Sequence, residues 1–305
     1  MVVVEQSYKM TAEDWSTHRW VLGHHIFPLP YEDIPDVSGP VADWENNSAF
    51  EKILAVLNQR MAKDDVPINL LATTFVNHAY LYTGLDKYRN WVPDYFSAWQ
   101  ERTRQNHGIV PDNIGLSGKI GEYMDGKWWG GYYGWRWPHG GTILLEALVV
   151  AGQNAMLLTG DDRMLNLARS QFDYLWSQRQ KVEGQWQIPH RHSDTGWENY
   201  KPMSPELLIQ LWHMSGSSED ADRILRIDDP DRLNHVFSTH GGGDAGWFRF
   251  VNGCSPNYPE QILQASYRAV TQALENIRRD NTASQKFIFN TGFIKNLLSV
   301  TLWYN

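Results

Sequence analysis

The sequence predicts an all-α fold in which helical hairpins are repeated around an axis, with long aromatic loops at one end. A Gly-Trp pair occurs three times, at Gly134-Trp135, Gly196-Trp197 and Gly246-Trp247, each in a loop that a proline and a helix-like segment follow. In addition, AYLYTGLDKY (79–88) aligns with AMLLTGDDRM (155–164) at an offset of 76 residues (155 − 79). A loop that recurs on a helical unit indicates one supersecondary element copied along the chain.

Prolines divide the chain into two parts. Pro28, Pro30, Pro35 and Pro40 interrupt regular structure near the start, so residues 1–45 are predicted to form an irregular N-terminal arm. Residues 46–305 are then predicted to form one repeated helical domain.

In the first repeat, the spacing of apolar residues, the turn residues and the caps predict three helices. The predicted helices are Ala49–Met61, Pro67–Tyr82 and Lys87–Arg104. Gly84 supplies a C-terminal cap for the second helix. Pro93, inside the third, predicts a kink or a separate first turn.

Two further copies follow the same order of helix, Thr/Ser-Gly turn, helix and aromatic loop. The last and shortest runs over residues 209–225 and leads to a predicted helix over about Pro259 to Arg279. Strand patterns are weak, and the best are Gly184–Pro189 and Trp247–Val251. The sequence shows roughly eight to ten helix-like segments. A closed ring of six hairpins needs more, so either the arm supplies helices, or the ring is incomplete, or the chain lacks a C-terminal part.

Composition limits the classes of partner. The 15 Trp and 14 Tyr residues cluster in loops, where flat rings can stack on the C–H faces of sugars. A net charge of −8 argues against a nucleic-acid partner. The single Cys254 excludes an intrachain disulfide. No apolar run of ~18 residues and no signal peptide are predicted, so we expect no membrane partner and a protein that is cytoplasmic or secreted with its signal removed.

The repeats resemble a known architecture. YLYTGLDKYRNW…GIVPDNIG and GGYYGWRWPHGG…LLTGDDRML are similar to the (α/α) toroid superfamily of carbohydrate-active enzymes, which includes polysaccharide lyases, unsaturated uronyl hydrolases and inverting glucanases. The resemblance covers about residues 50–280. It implies an (α/α) toroid that binds an oligosaccharide or polysaccharide. It implies no required cofactor and leaves room for a structural cation.

Lyase chemistry is the leading interpretation of the loops. A lyase removes the proton α to a uronate carboxylate and expels the 4-O sugar, so it needs a carboxylate-binding group, a base and an acid. The resemblance implies that Asn, His, Tyr and Arg fill these roles. The candidate catalytic residues are His139, Tyr133, Tyr132, Arg136, Asn113 and His190. The candidate substrate-binding residues are Trp135, Trp137, Trp129, Arg191, His192, Trp197 and Trp247.

Other interpretations remain open for these residues. His139 could cap a helix, and Arg136 could stack between neighbouring indoles as a structural cation–π contact. His190 and His192 share one face of an extended segment, but no third metal ligand accompanies them, so no metal site is predicted.

Two further functions fit the same loops. An inverting hydrolase needs two carboxylates about 6.5–9.5 Å apart. The candidates for such a pair are Asp112, Glu122, Asp125, Asp194 and Glu198. A non-catalytic glycan-binding protein would need the aromatic loops alone.

Overall fold

The structure, a computed structural model, describes residues 48, 51–52, 55, 63–131, 133–137, 140–227 and 246–279. The chain divides into two compact units, one ending at Met203 and one beginning at Ser204, and each is described by itself. The predicted arm over residues 1–45 and most of the predicted helix over residues 49–61 lie outside the described residues.

The first unit contains two helical hairpins. Its helices are a 3-10 helix at Pro67–Ala72, α1 at Thr73–Thr83, α2 at Asp86–Gln105, α3 at Gly140–Thr159, a 3-10 helix at Asp162–Leu165 and α4 at Asn166–Ser177. The predicted helices over 67–82 and 87–104 are confirmed. Pro93 lies inside α2 without dividing it.

The turns of the two hairpins are nearly identical, which supports the predicted repeat. Gly84 and Gly160 both adopt a left-handed conformation, with φ of 65° and 71°. Each donates its N–H to the carbonyl four residues earlier. Thr83 Oγ1 and Thr159 Oγ1 likewise bond the carbonyls four residues earlier, at 2.6 and 2.8 Å. The turn is therefore one capping design used twice.

Helix α3 lies at the centre of this unit, where it packs against α1, α2 and α4. Phe96 and Phe172, which the repeat aligns, are both buried. Among the described helices, α3 alone is long and apolar enough to cross a membrane, and more than half of its apolar window is buried inside the unit. This burial is that of a core helix.

The predicted all-α class is wrong, because the first unit also contains a three-stranded antiparallel sheet. The structure is about 60% helical. The strands are β1 at Gln180–Val182, β2 at Gln185–Ser193 and β3 at Gly196–Lys201, in the order β1-β2-β3. What had been predicted as the second aromatic loop is therefore two linked hairpins. The weak strand pattern at Gly184–Pro189 marked the start of β2.

The second unit contains four described helices: α5 at Glu206–Ser215, α6 at Ser218–Leu225, α7 at Gly246–Val251 and α8 at Tyr258–Arg279. The first two, α5 and α6, form a third and shorter hairpin. Gly216 again caps a helix with a φ of 61°, so the Ser-Gly turn matches the two Thr-Gly turns. The predicted helix over 259–279 is confirmed. The weak strand pattern at Trp247–Val251 does not correspond to a strand, because these residues form α7.

Candidate functional site

Two Trp-rich segments of the first unit meet beyond the helix ends. The first connector, residues 106–139, joins α2 to α3, and the second connector, residues 178–203, follows α4. The backbone N–H of His192 donates to the carbonyl of Trp135 at 2.9 Å. The indoles of Trp135 and Trp197 touch edge to face, with centroids 5.2 Å apart. Two of the three Gly-Trp pairs are thus in direct contact.

A buried carboxylate organises the first connector. Asp112 accepts hydrogen bonds from the backbone N–H groups of Gly130 at 3.0 Å, Gly131 at 2.8 Å and Trp135 at 2.6 Å. A Cβ atom at Gly134 would collide with this carboxylate. Burial raises the pKa of Asp112, while its hydrogen bonds lower it in part. Asp112 is fully buried, so it is not available as the acid or base of a hydrolase.

Asn113 continues this network rather than facing a ligand. It is fully buried. Its Nδ2 donates to Asp112 Oδ1 at 3.0 Å and to the Lys127 carbonyl at 3.1 Å. This placement does not fit the expected role of Asn113 as the group that holds a substrate carboxylate.

Three of the expected sugar-stacking rings are interior. Trp135 is fully buried and donates from Nε1 to the Val110 carbonyl at 2.8 Å. Trp137 is 4% exposed and stacks on Tyr133, and Trp129 is 6% exposed. A ring without free surface cannot stack on a sugar, so these three rings serve as the core of the connector.

Two half-buried indoles, those of Trp128 and Trp197, contact the imidazole of His192, and the buried ring of Trp129 lies next to them. The imidazole centroid lies 4.7 Å from that of Trp128, 4.8 Å from that of Trp197 and 5.2 Å from that of Trp129. Trp128 and Trp197 are both half-buried. The sequence prediction missed Trp128. The signal was the Trp128-Trp129 pair itself, because neighbouring side chains in an extended segment point to opposite sides.

The two carboxylates whose charges act on the imidazole, Asp194 and Glu198, are each paired with a cation. Lys127 Nζ contacts Asp194 Oδ1 at 2.9 Å, and Arg191 Nε lies 3.5 Å from Glu198 Oε1. Arg191 Nε also donates to the Arg136 carbonyl at 2.6 Å, which ties the two connectors together. We call Lys127, Trp128, His192, Asp194, Trp197 and Glu198 the His192 surface.

The Arg136 guanidinium is buried and lies over the Trp129 ring, 5.6 Å from its centroid. This is the stacking that the sequence left open as the alternative to carboxylate binding. The partner ring is Trp129, although the sequence had suggested Trp135 and Trp137.

Burial favours the neutral form of both strand histidines. Burial lowers the pKa of His192 below its usual value, although the charges of Glu198 and Asp194 raise it in part. Burial and the charge of Lys201 lower the pKa of His190 to about 4. In His192, Nδ1 is buried and has no hydrogen-bond partner among the described residues.

The remaining candidates have varied placements. Tyr133 has a φ of 52° and is half-buried against Trp137. Glu122 accepts hydrogen bonds from the backbone and hydroxyl of Ser117, as a turn residue does. Asp125 is exposed. His139, Tyr132 and the side chain of Trp247 lie outside the described residues.

Comparison with known proteins gives one relationship. The search of curated proteins found no match, and the search of solved structures found none. A family model described as a domain of unknown function (DUF8034) matches the chain in two overlapping segments, residues 5–188 and 179–295. These segments include both connectors and the His192 surface. The chain belongs to this family, the domain of unknown function DUF8034.

Proposed function

We propose that the chain binds a uronate-containing glycan at the His192 surface and cleaves it by β-elimination. The observation that carries this proposal is the contact of the His192 imidazole with the two half-buried indoles of Trp128 and Trp197. Indole faces bind the apolar faces of sugar rings, and a neutral imidazole is a competent base near pH 7.

The chemistry follows from the arrangement of groups. The His192 imidazole takes the proton from the carbon α to the uronate carboxylate. The electrons of that C–H bond form the new C4–C5 double bond, and the C4–O bond breaks. The leaving oxygen takes a proton from water or from a general acid. Lys127 and Arg191, which pair with Asp194 and Glu198 in the free protein, are the cations available to the uronate carboxylate and the developing enolate.

Removal of the imidazole tests the role of His192. With a soluble polyglucuronate as substrate, we expect His192→Gln to lower kcat about a hundredfold or more, because a general base contributes at least that much. The measurement is the ultraviolet absorbance of the 4,5-unsaturated product. His78→Gln, a change at an exposed position of α1, is the matched control and should leave kcat unchanged. Full activity of the His192 variant would refute the assignment.

The indoles should act through binding. We expect Trp197→Ala to raise KM more than it lowers kcat, because stacking holds the sugar in both the ground state and the transition state. Steady-state kinetics on the same polymer separate the two constants. An unchanged KM would place the sugar elsewhere.

A second function is favoured by a specific observation. Asp194 and Glu198 both lie close enough to His192 to affect its pKa, so two carboxylates flank the same imidazole. This pair could serve an inverting hydrolase as acid and base. Release of reducing ends without any ultraviolet product would support the hydrolase. Binding without turnover of either kind would support a glycan-binding protein.

A further inference from the structure

The β1–β2 hairpin carries a second cluster of aromatic and basic side chains. Trp186 is 47% exposed. The Arg179 guanidinium carbon lies 4.8 Å from the centroid of the Trp186 ring and 4.9 Å from that of Trp176. Lys181 is the cross-strand partner of Trp186 and places Nζ 5.9 Å from its centroid. An exposed indole thus has two cations beside it.

The cluster is held in place before any ligand arrives. Glu183 and Gly184 form the two-residue turn between the strands, with φ of 49° and 84°, the signs that a type I′ turn requires. Arg179 Nη1 donates to the Trp176 carbonyl at 2.9 Å. Because the backbone and the guanidinium are already fixed, binding here would cost little conformational entropy.

The charges of this cluster are not balanced within the structure. Among the described residues, neither Arg179 nor Lys181 has a carboxylate within ion-pair distance. Other described lysines, such as Lys87 and Lys119, also lack one, so what distinguishes this cluster is that both cations lie beside one exposed indole. Glu183 is the acid closest in sequence and pairs with neither cation. In a chain of net charge −8, two such cations beside one indole indicate an anionic ligand.

We propose that Trp186, Arg179 and Lys181 form a second binding site, which takes an acidic sugar residue of a polysaccharide. The exposed surface of the Trp186 ring contacts the C–H face of the sugar, and the two cations pair with its carboxylate or sulfate group. The choice of a sugar as ligand rests on the function proposed above. The inference that the ligand is anionic and contacts an aromatic ring rests on the observed contacts of Trp186, Arg179 and Lys181.

This site is separate from the His192 surface. Trp186 and His192 are six residues apart on β2, or about 20 Å at ~3.3 Å per residue. Ile188 lies between them and is buried. A polymer held at Trp186 would therefore be retained near the first site without filling it, so this second site acts on affinity for long chains.

Direct binding tests the proposal without relying on turnover. The probe is a soluble polyglucuronate, and its affinity is measured by isothermal titration calorimetry on the full chain. We expect Trp186→Ala to weaken binding about tenfold and Lys181→Gln to weaken it severalfold. Phe75→Ala is the matched control for loss of an exposed ring, because Phe75 is 78% exposed and no described cation lies over it. Arg163→Gln is the control for loss of one positive charge.

The outcomes separate this inference from the proposed function. Weaker polymer binding by Trp186→Ala, with unchanged turnover of a short oligosaccharide, supports the second site. Weaker binding by that variant in a protein with no turnover also supports it, while it removes the lyase proposal. Polymer affinity equal to that of the wild type in both Trp186→Ala and Lys181→Gln would overturn the second site even if His192 proves catalytic.

Two further probes test the ligand class. If an uncharged glucan bound as tightly as the polyuronate, Arg179 and Lys181 would not be recognising the acidic group. Tighter binding of single-stranded oligothymidylate than of the polyuronate would overturn the sugar, since stacked bases also suit indole and arginine groups. Trp186→Phe keeps a smaller ring in the hairpin. Intermediate affinity of this variant would support stacking, and wild-type affinity would contradict it.

Discussion

At the scale of single residues, burial separates side chains that the sequence presents as equals. Asp112 and Glu198 both lie in aromatic segments, yet Asp112 is enclosed by backbone N–H donors while Glu198 is partly exposed and pairs with Arg191. Trp128 and Trp129 are neighbours, yet Trp129 is interior and Trp128 is half-buried. The residue types predicted a polar, aromatic site, but only contacts reveal which members of it reach a ligand.

Asp112 should therefore matter for stability. We expect Asp112→Asn to lower the free energy of unfolding by about 3 kcal/mol, because the amide nitrogen would face N–H donors that now point at a carboxylate. Urea denaturation measures the change. Asp94→Asn, at an exposed position of α2, is the control and should change the free energy by less than about 0.5 kcal/mol. A stable Asp112→Asn protein that lost only activity would point to a catalytic role instead.

His190 should make stability depend on pH. Its pKa of about 4 in the folded chain lies below the ordinary value of 6.5, so the unfolded chain binds a proton first as the pH falls. The free energy of unfolding should then decrease between pH 6.5 and pH 4, by as much as about 3 kcal/mol from this group alone. Above pH 6.5 the contribution is complete and constant.

His190→Gln isolates this effect. The variant should show a smaller loss of stability than the wild type between pH 6.5 and pH 4, whatever its stability at pH 7. Thermal or urea unfolding across this range gives the comparison. Identical pH dependence of the two proteins would mean that His190 is as accessible to protons in the folded chain as in the unfolded chain.

At the scale of elements, the repeat is expressed most clearly in the helix caps. Gly84, Gly160 and Gly216 end α1, α3 and α5 with the same left-handed geometry. The alignment of the repeats predicted these turns because a helix cap depends on neighbouring residues alone, here a glycine and the hydroxyl residue before it. The strands left only weak signs in the sequence because strand stability depends on partners outside the segment. β2 gains its stability from cross-strand pairing with β1 and β3, which a single segment does not display.

Gly160 tests the cap directly. A Cβ atom at this position meets nothing within 4 Å, so only the backbone conformation penalises a substitution. We expect Gly160→Ala to lower the free energy of unfolding by about 1 kcal/mol, and Gly160→Asn by less, because Asn tolerates the left-handed region better. Thermal unfolding of the two variants gives the order. A neutral Ala variant would show that the helix can end in another way.

At the scale of the whole molecule, the charge balance limits the partners. A net charge of −8 repels polyanions at long range, so anionic ligands depend on local cations such as those beside Trp186. We expect no retention of duplex DNA in a gel-shift assay at physiological salt, because the chain lacks the basic field that phosphate binding requires. A shift comparable to that of a basic DNA-binding protein would contradict the charge argument.

The sequence by itself determined the repeated hairpins, their glycine caps and the aromatic character of the connectors, because these depend on local conformation and on composition. The tertiary structure decided that Asp112 and Trp135 are interior, that the second connector forms a sheet and that His192 contacts Trp128 and Trp197. Those outcomes depend on contacts between residues up to about 70 positions apart (197 − 128 = 69), such as the Trp128–Trp197 pair. Burial and pairing across such distances follow from packing, which no local pattern of residues specifies.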